Sequence, residues 1–183
     1  MHKKRCQWAE KEVFHPYHDT EWGKPVHDDR LLFELLILEG AQAGLSWATI
    51  LKKRTNYKKA FDNFQVEKVA QYTKQKEALL LNNIGIIRNK LKISATVKNA
   101  QSFINIQKEF KTFAKYIWSW VDAKPIVHTI YNASELPVST QLSDDISKDL
   151  KKRGFKFVGT IIVYAYLQAI GVVNDHEASC PFK

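Results

Sequence analysis

The chain of 183 residues is short of cysteine, methionine, proline and glycine: it has two, one, five and seven of them. Two thiols exclude a disulfide-dense secreted scaffold. The few prolines and glycines are scattered, so there is no flexible linker, low-complexity tract or internal repeat to divide the chain. Residues 1–183 therefore read as a single domain, long enough to bury roughly 70% of its unfolded surface. A long hydrophobic run is also missing. The most apolar stretch, Val158 to Val173, is interrupted by Thr160 and Gln168. At sixteen residues it falls about four short of a membrane span and reads as a core helix. Met1-His2-Lys3-Lys4-Arg5-Cys6 runs into Gln7-Trp8-Ala9-Glu10 with no apolar segment. No secretory signal is expected, and the cytosol is the expected compartment. Acids are scarce relative to bases, 19 against 28, giving a formal charge of +9. That field favours polyanionic partners, nucleic acid or an anionic membrane, over a merely soluble basic surface. The basic stretch Lys148 to Lys156 is too short and too poor in large apolar residues to lie on a membrane.

What is present is ordinary globular apolar content, 45%, with 12% aromatics. The pattern is mainly helical. Asp28-Asp29 offers an N-cap for a helix over Arg30 to Ala43, whose leucines surround most of the circumference. Gly44 ends it and Ser46 caps a helix from Trp47 to Asn56. Further helices are expected around 61–64 and over Lys74 to Asn82, Arg88 to Gln107, Phe113 to Val121, Asp144 to Arg153 with Ser143 as cap, and Val158 to Val173. Met1 to Val26 reads as irregular. Ile126 to Ile130 has strand character but no evident partner.

Three groups of residues carry chemistry. Cys6, His18, His176 and Cys180 combine two thiols and two imidazoles, a set that suits tetrahedral zinc. His176 and Cys180 form H-x3-C, a spacing that shares one face of a helical turn. Eleven residues separate Cys6 from His18, and His15, His2, His27 and His128 remain as rival ligands. Four protein ligands leave no open position, so the ion would be structural and would join the two chain ends. The second group is Glu39, at the end of the buried helix, with aromatics near it in sequence: Trp47, Tyr17, Trp8 and Trp22. A carboxylate among aromatic faces suits a flat, cationic or proton-donating ring such as a nucleobase. Glu34, on the same helix, carries no such signal. The third is Leu79 to Ile93, read as helix, glycine turn at Gly85, helix. Free N–H groups at the second helix start, with Arg88, Lys90 and Lys92 nearby, suit a DNA backbone.

Cys6-Gln7-Trp8, Tyr17-His18-Asp19, Glu21-Trp22-Gly23 and Leu38-Glu39-Gly40-Ala41-Gln42-Ala43-Gly44-Leu45-Ser46-Trp47 resemble the 3-methyladenine DNA glycosylase I family. So do Gly85-Ile86-Ile87-Arg88-Asn89, Leu150 to Gly159 and Asn174-Asp175-His176. The resemblance implies an all-α helix-hairpin-helix glycosylase fold, with the hairpin at about 79–93. It implies one structural zinc per chain, held by Cys6, His18, His176 and Cys180 within the termini 5–23 and 174–183. It places the base pocket at Glu39, Tyr17 and Trp47 with Trp22 and Trp8 beside them, and Glu39 as the catalytic group. Gly44 and Leu45 would enter the gap left by an extruded base, and Gly85, Arg88 and Lys90 would face DNA. The implied substrate is alkylation-damaged duplex DNA, the product free 3-methyladenine, and the protein a monomer without lyase activity. The rival reading is a zinc-stabilised DNA-binding module without catalysis.

Overall fold

The computed structural model describes residues 4–183. The helices are α1 (His15–Thr20), α2 (Asp29–Gln42), α3 (Trp47–Ala60), α4 (Val66–Val69), α5 (Lys74–Leu81), α6 (Lys90–Phe110), α7 (Phe113–Ser119), α8 (Gln141–Lys152) and α9 (Thr160–Ala169). Two short strands, β1 (Ile126–Val127) and β2 (Val173–Asn174), pair in parallel. Among the described residues no helix is long and apolar enough to cross a membrane.

α2 is the axis of the fold. Asp28 accepts a hydrogen bond from the Leu31 backbone N–H at 2.7 Å and starts it. Every residue from Leu32 to Ala41 is buried, because α3, α6, α7 and α9 pack around it. Asp29 serves a second helix as well. Its carboxylate accepts the Phe113 and Ala114 backbone N–H groups, each at 2.8 Å. These are free donors at the start of α7, where the helix dipole also favours a negative charge.

Glu34 is the buried acid to which the sequence reading gave no signal. It is 1% exposed. Arg54 donates to Glu34 at 2.6 Å and to Glu21 at 2.8 Å, and Lys58 lies 3.3 Å from Glu34. The guanidinium thus joins α3 to α2 and to the segment after α1. A buried pair of this kind contributes little net stability, but removing one partner costs about 3–5 kcal/mol.

Several boundaries differ from the sequence expectations. The N-terminal segment is not wholly irregular, because Pro16 sits in the first turn of α1. α8 is capped by Thr140, with Ser143 as the reciprocal partner three residues on. α9 ends four residues before the expected Val173, since the chain turns at Gly171 with φ +71°. A Cβ there would lie 2.2 Å from the Lys24 carbonyl carbon. This close approach seats the N-terminal segment on the end of α9 and frees Val173 to pair with Ile126. The strand without an evident partner therefore has one, hidden at the tail of a residue run that reads as helix.

Candidate functional site

Among the described residues, one cluster could hold a metal ion: Cys6, His18, His176 and Cys180, all buried, with ligand atoms within 4.8 Å of one another. Cys180 Sγ is 3.7 Å from His18 Nε2. The far nitrogens are occupied. His18 Nδ1 meets Asp19 at 2.8 Å, and His176 Nδ1 meets Asn174 at 2.8 Å. Both Nε2 atoms are thereby turned to the cluster centre, an arrangement that fixes tautomers around a metal. His176 Nε2 is buried with no hydrogen-bond partner. An orphaned lone pair at the centre of two thiols and a second imidazole fits a tetrahedral ion. Burial pushes the Cys6 thiol up to about 12 and His176 down to about 4, and the Arg5 guanidinium holds Asp19 down at about 2.

His176 and Cys180 do not share a helical face as their spacing suggested. His176 follows β2, and a turn closed by the Cys180 N–H on the Glu177 carbonyl brings the thiol back. The rivals lie elsewhere. His15 contacts the Glu10 carbonyl, His27 packs on Trp118, and His128 pairs with Asp175; His2 lies outside the described residues. Gly23 is required here: a Cβ would stand 2.8 Å from the His176 ring.

From this cluster a chain of rings leads to Tyr17, on which Glu39 acts electrostatically, and to Trp47. Trp22 packs edge-on to His176, with centroids 4.6 Å apart, and stacks on His18. Trp8 meets Trp22 at 4.9 Å and Tyr17 at 6.4 Å, and Tyr17 meets Trp47 at 5.3 Å. Trp8, Tyr17, Trp22 and Trp47 are thus one connected group, with Trp22 at the Cys/His end and Trp47 at the other. The buried Trp8 indole N–H has no partner, a second orphaned polar atom.

Glu39 is 4% exposed, and burial alone pushes its carboxyl up to about 8. No hydrogen bond from a described residue reaches it. Its charge bears on Tyr17, whose hydroxyl is held well above its ordinary range by burial and by this acid. Glu39 also lies near the C-terminal end of α2, where the helix dipole disfavours a negative charge. Arg54 is engaged with Glu34 and Glu21, and Lys92 with the carbonyls of Ala41 and Ala43. A buried carboxyl group without a cationic partner, acting on a tyrosine of the connected ring group, suits a planar cationic guest.

Gly44 and Leu45 follow at the end of α2, both exposed. Gly44 has φ +75°. Gly85 donates to Asn83 Oδ1 at 2.8 Å in the turn between α5 and α6. Tyr57 accepts the Ile87 N–H, and Lys53 donates to the Ile84 carbonyl, which anchors the turn on α3. Arg88 and Lys90 stand exposed beside it. Lys92 does not join them; its amine faces inward.

This is a mostly helical protein with a Cys2His2 cluster at its joined termini, a connected group of aromatic rings beside it, and a buried carboxyl group near the end of its central helix. A model of the methyladenine glycosylase family matches residues 8–183. DNA-3-methyladenine glycosylase of Haemophilus influenzae is 44% identical over 98% of this chain and 97% of its own. DNA-3-methyladenine glycosylase 1 of Escherichia coli is 46% identical over 96% and 95%. A solved structure of 3-methyladenine DNA glycosylase I from Staphylococcus aureus, concerned with 3-methyladenine recognition, superposes with a TM-score of 0.95. That relative is 39% identical, over 98% of this chain and 96% of its own. The chain belongs to the methyladenine glycosylase family.

The raised Glu39 carboxyl predicts a pH-dependent stability cost. The unfolded chain loses this proton near the ordinary 4.5, whereas the folded chain keeps it until about 8. Wild type should lose stability relative to Glu39→Gln as pH rises through that window, and the difference should level off above it. Thermal denaturation of both proteins from pH 4.5 to 8.5 should show the variant gaining on the order of 10 °C. Parallel curves would mean that Glu39 is ionised in the folded protein.

Proposed function

We propose that the protein is a DNA glycosylase that hydrolyses the N-glycosidic bond of N3-methyladenine in alkylated duplex DNA. It releases free 3-methyladenine and leaves an abasic site. The observation that carries this reading is Glu39, a buried carboxyl group without a partner, among aromatic rings, in a chain of formal charge +9. A protein that only grips a polyanion gains nothing by burying an acid in that way. The relatives' substrate has the matching chemistry: alkylation at N3 makes the purine a flat cation.

In a duplex the target bond is inaccessible, so the nucleotide must leave the stack, which costs a few kcal/mol and less for a damaged base. Gly85, Arg88 and Lys90, the helix-hairpin-helix face, would hold phosphates without reading sequence. Leu45 on its Gly44 turn would fill the gap left in the stack. In the pocket, Trp47 and Tyr17 would contact the ring, with Trp8 and Trp22 behind them. Glu39 would accept hydrogen bonds from the base edge and favour its cationic form. The C1′–N9 bond breaks with its electron pair going to the purine, which leaves as a neutral molecule, and water adds to C1′ and gives up a proton to solvent. Much of the bond weakening belongs to the substrate, so the protein mainly selects and positions it. Adenine, lacking the charge, gains less. No lysine is offered as a nucleophile, which makes the enzyme monofunctional.

Cys6, His18, His176 and Cys180 would hold one zinc per chain. With four protein ligands its contribution is structural, a cross-link between the termini that keeps Trp8, Tyr17 and Trp22 in place.

Chromatography of bases released from methylated duplex DNA tests the activity. Wild type should release 3-methyladenine, and Glu39→Gln should lose about a hundredfold or more in rate. A folded wild type that binds DNA and releases nothing would leave only the binding module.

Metal analysis tests the cross-link. One zinc per chain should be found, and Cys180→Ser should lose it together with several degrees of thermal stability, on the order of 2–5 kcal/mol. A zinc-free preparation with an unchanged melting curve would contradict this assignment.

A further inference from the structure

Lys92 occupies the third position of α6, a place where the helix dipole disfavours a cation. Its side chain leaves the helix surface. The amine donates to the Ala41 carbonyl at 2.8 Å and the Ala43 carbonyl at 2.6 Å. Both oxygens belong to the end of α2, where carbonyls lack helical partners and the dipole welcomes positive charge. The lysine is thus misplaced on its own helix and well placed on its neighbour.

The Ala43 carbonyl is a particular one. Ala43 has φ −45° and ψ 117°, Gly44 has φ +75°, and the Leu45 N–H donates to the Gln42 carbonyl at 2.6 Å. These values define a type II turn with glycine at its third position. The peptide joining Ala43 to Gly44 is the one that flips when such a turn becomes type I. Lys92 holds its oxygen. Leu45, 40% exposed, is carried at the last position of the turn. On the other side, Asn89 Oδ1 accepts the Lys92 backbone N–H at 3.1 Å, and Arg88 and Lys90 flank that cap on the surface.

We infer that Lys92 is a positioning residue: it locks the Ala43–Gly44 peptide and sets Leu45 in register with the Arg88–Lys90 end of α6. This deepens the glycosylase reading and rests on it. Phosphate contacts made at the start of α6 and the leucine that enters the duplex then form one rigid unit, so that gripping the backbone aims the wedge. Lys92 touches neither base nor sugar. Its amine is committed to two carbonyls and is not a nucleophile.

The test compares wild type, Lys92→Met and Lys92→Arg as zinc-loaded full chains, under single-turnover conditions on methylated duplex DNA. Affinity for free 3-methyladenine is followed by tryptophan fluorescence. Lys92→Met should lower the maximal rate about ten- to a hundredfold, the scale of a small misplacement, with free-base affinity unchanged. Lys92→Arg, which can still span both carbonyls, should recover most of the rate. Combining Lys92→Met with Leu45→Ala should cost little more than either change alone, since both act through one group. Gly44→Ala perturbs the same turn should Lys92→Met fold poorly. The new Cβ meets nothing within 4 Å, so only the positive φ is strained, and the same loss is expected.

An unchanged rate in Lys92→Met beside an active wild type overturns the inference. So do additive losses with Leu45→Ala, an equal loss of free-base affinity, or borohydride trapping of DNA on Lys92. A wild type that releases no base fails the glycosylase reading itself and takes this inference with it.

Discussion

A carboxylic acid buried without a hydrogen-bond donor or a cation is the constraint around which this molecule is arranged. Glu39 sits on the most buried helix, near its electrically unfavourable end, and is held protonated up to about 8. Five residues earlier on the same helix, Glu34 is as deeply buried yet paired with Arg54 and Lys58. The protein therefore has the means to neutralise an acid in its core and does not use them at Glu39. A buried acid without a partner costs stability in the free protein, and under the proposed function the cationic base would offset that cost on binding.

Such a pocket needs walls that do not yield. Three of its aromatic residues, Trp8, Tyr17 and Trp22, come from the N-terminal segment, which on its own would be a weakly held chain end. The Cys/His cluster fastens this segment to the C-terminus, and Trp22 lies directly against both histidines. Gly23 leaves room for the His176 ring, and Gly171 lets its backbone approach that of Lys24 and Pro25 closely enough for this docking. Arg54 adds a second tie, from Glu21 to the central helix. The metal-type cluster, the ring chain and the acid are in this sense one device built from both ends of the sequence around its middle.

The residues that carry strong local chemistry were legible in the sequence. Asp28 and Ser46 cap the helices they were expected to cap, and the four ligand-type side chains do converge. What stayed hidden depends on tertiary partners. Val173 reads as helix by its apolar neighbours but becomes a strand because Gly171 turns the chain. His176 and Cys180 meet across a turn, which their spacing does not distinguish from a helix. Lys92 reads as one more surface base near the glycine turn, and only its two carbonyl partners show that it faces inward. Glu34 needed Arg54, twenty residues away, to acquire meaning. The pattern of one helix states which faces are buried, not which buried charge is paired.

The central claim is that Glu39 waits, uncharged, for a cationic base. Direct titration of its side-chain carboxyl carbon by NMR, with and without 3,9-dimethyladeninium, a base whose positive charge is fixed, addresses it most closely. The account predicts a midpoint near 8 in the free protein and a marked downward shift when the base is bound. A midpoint at the ordinary carboxyl value, or one that the base does not move, would contradict it.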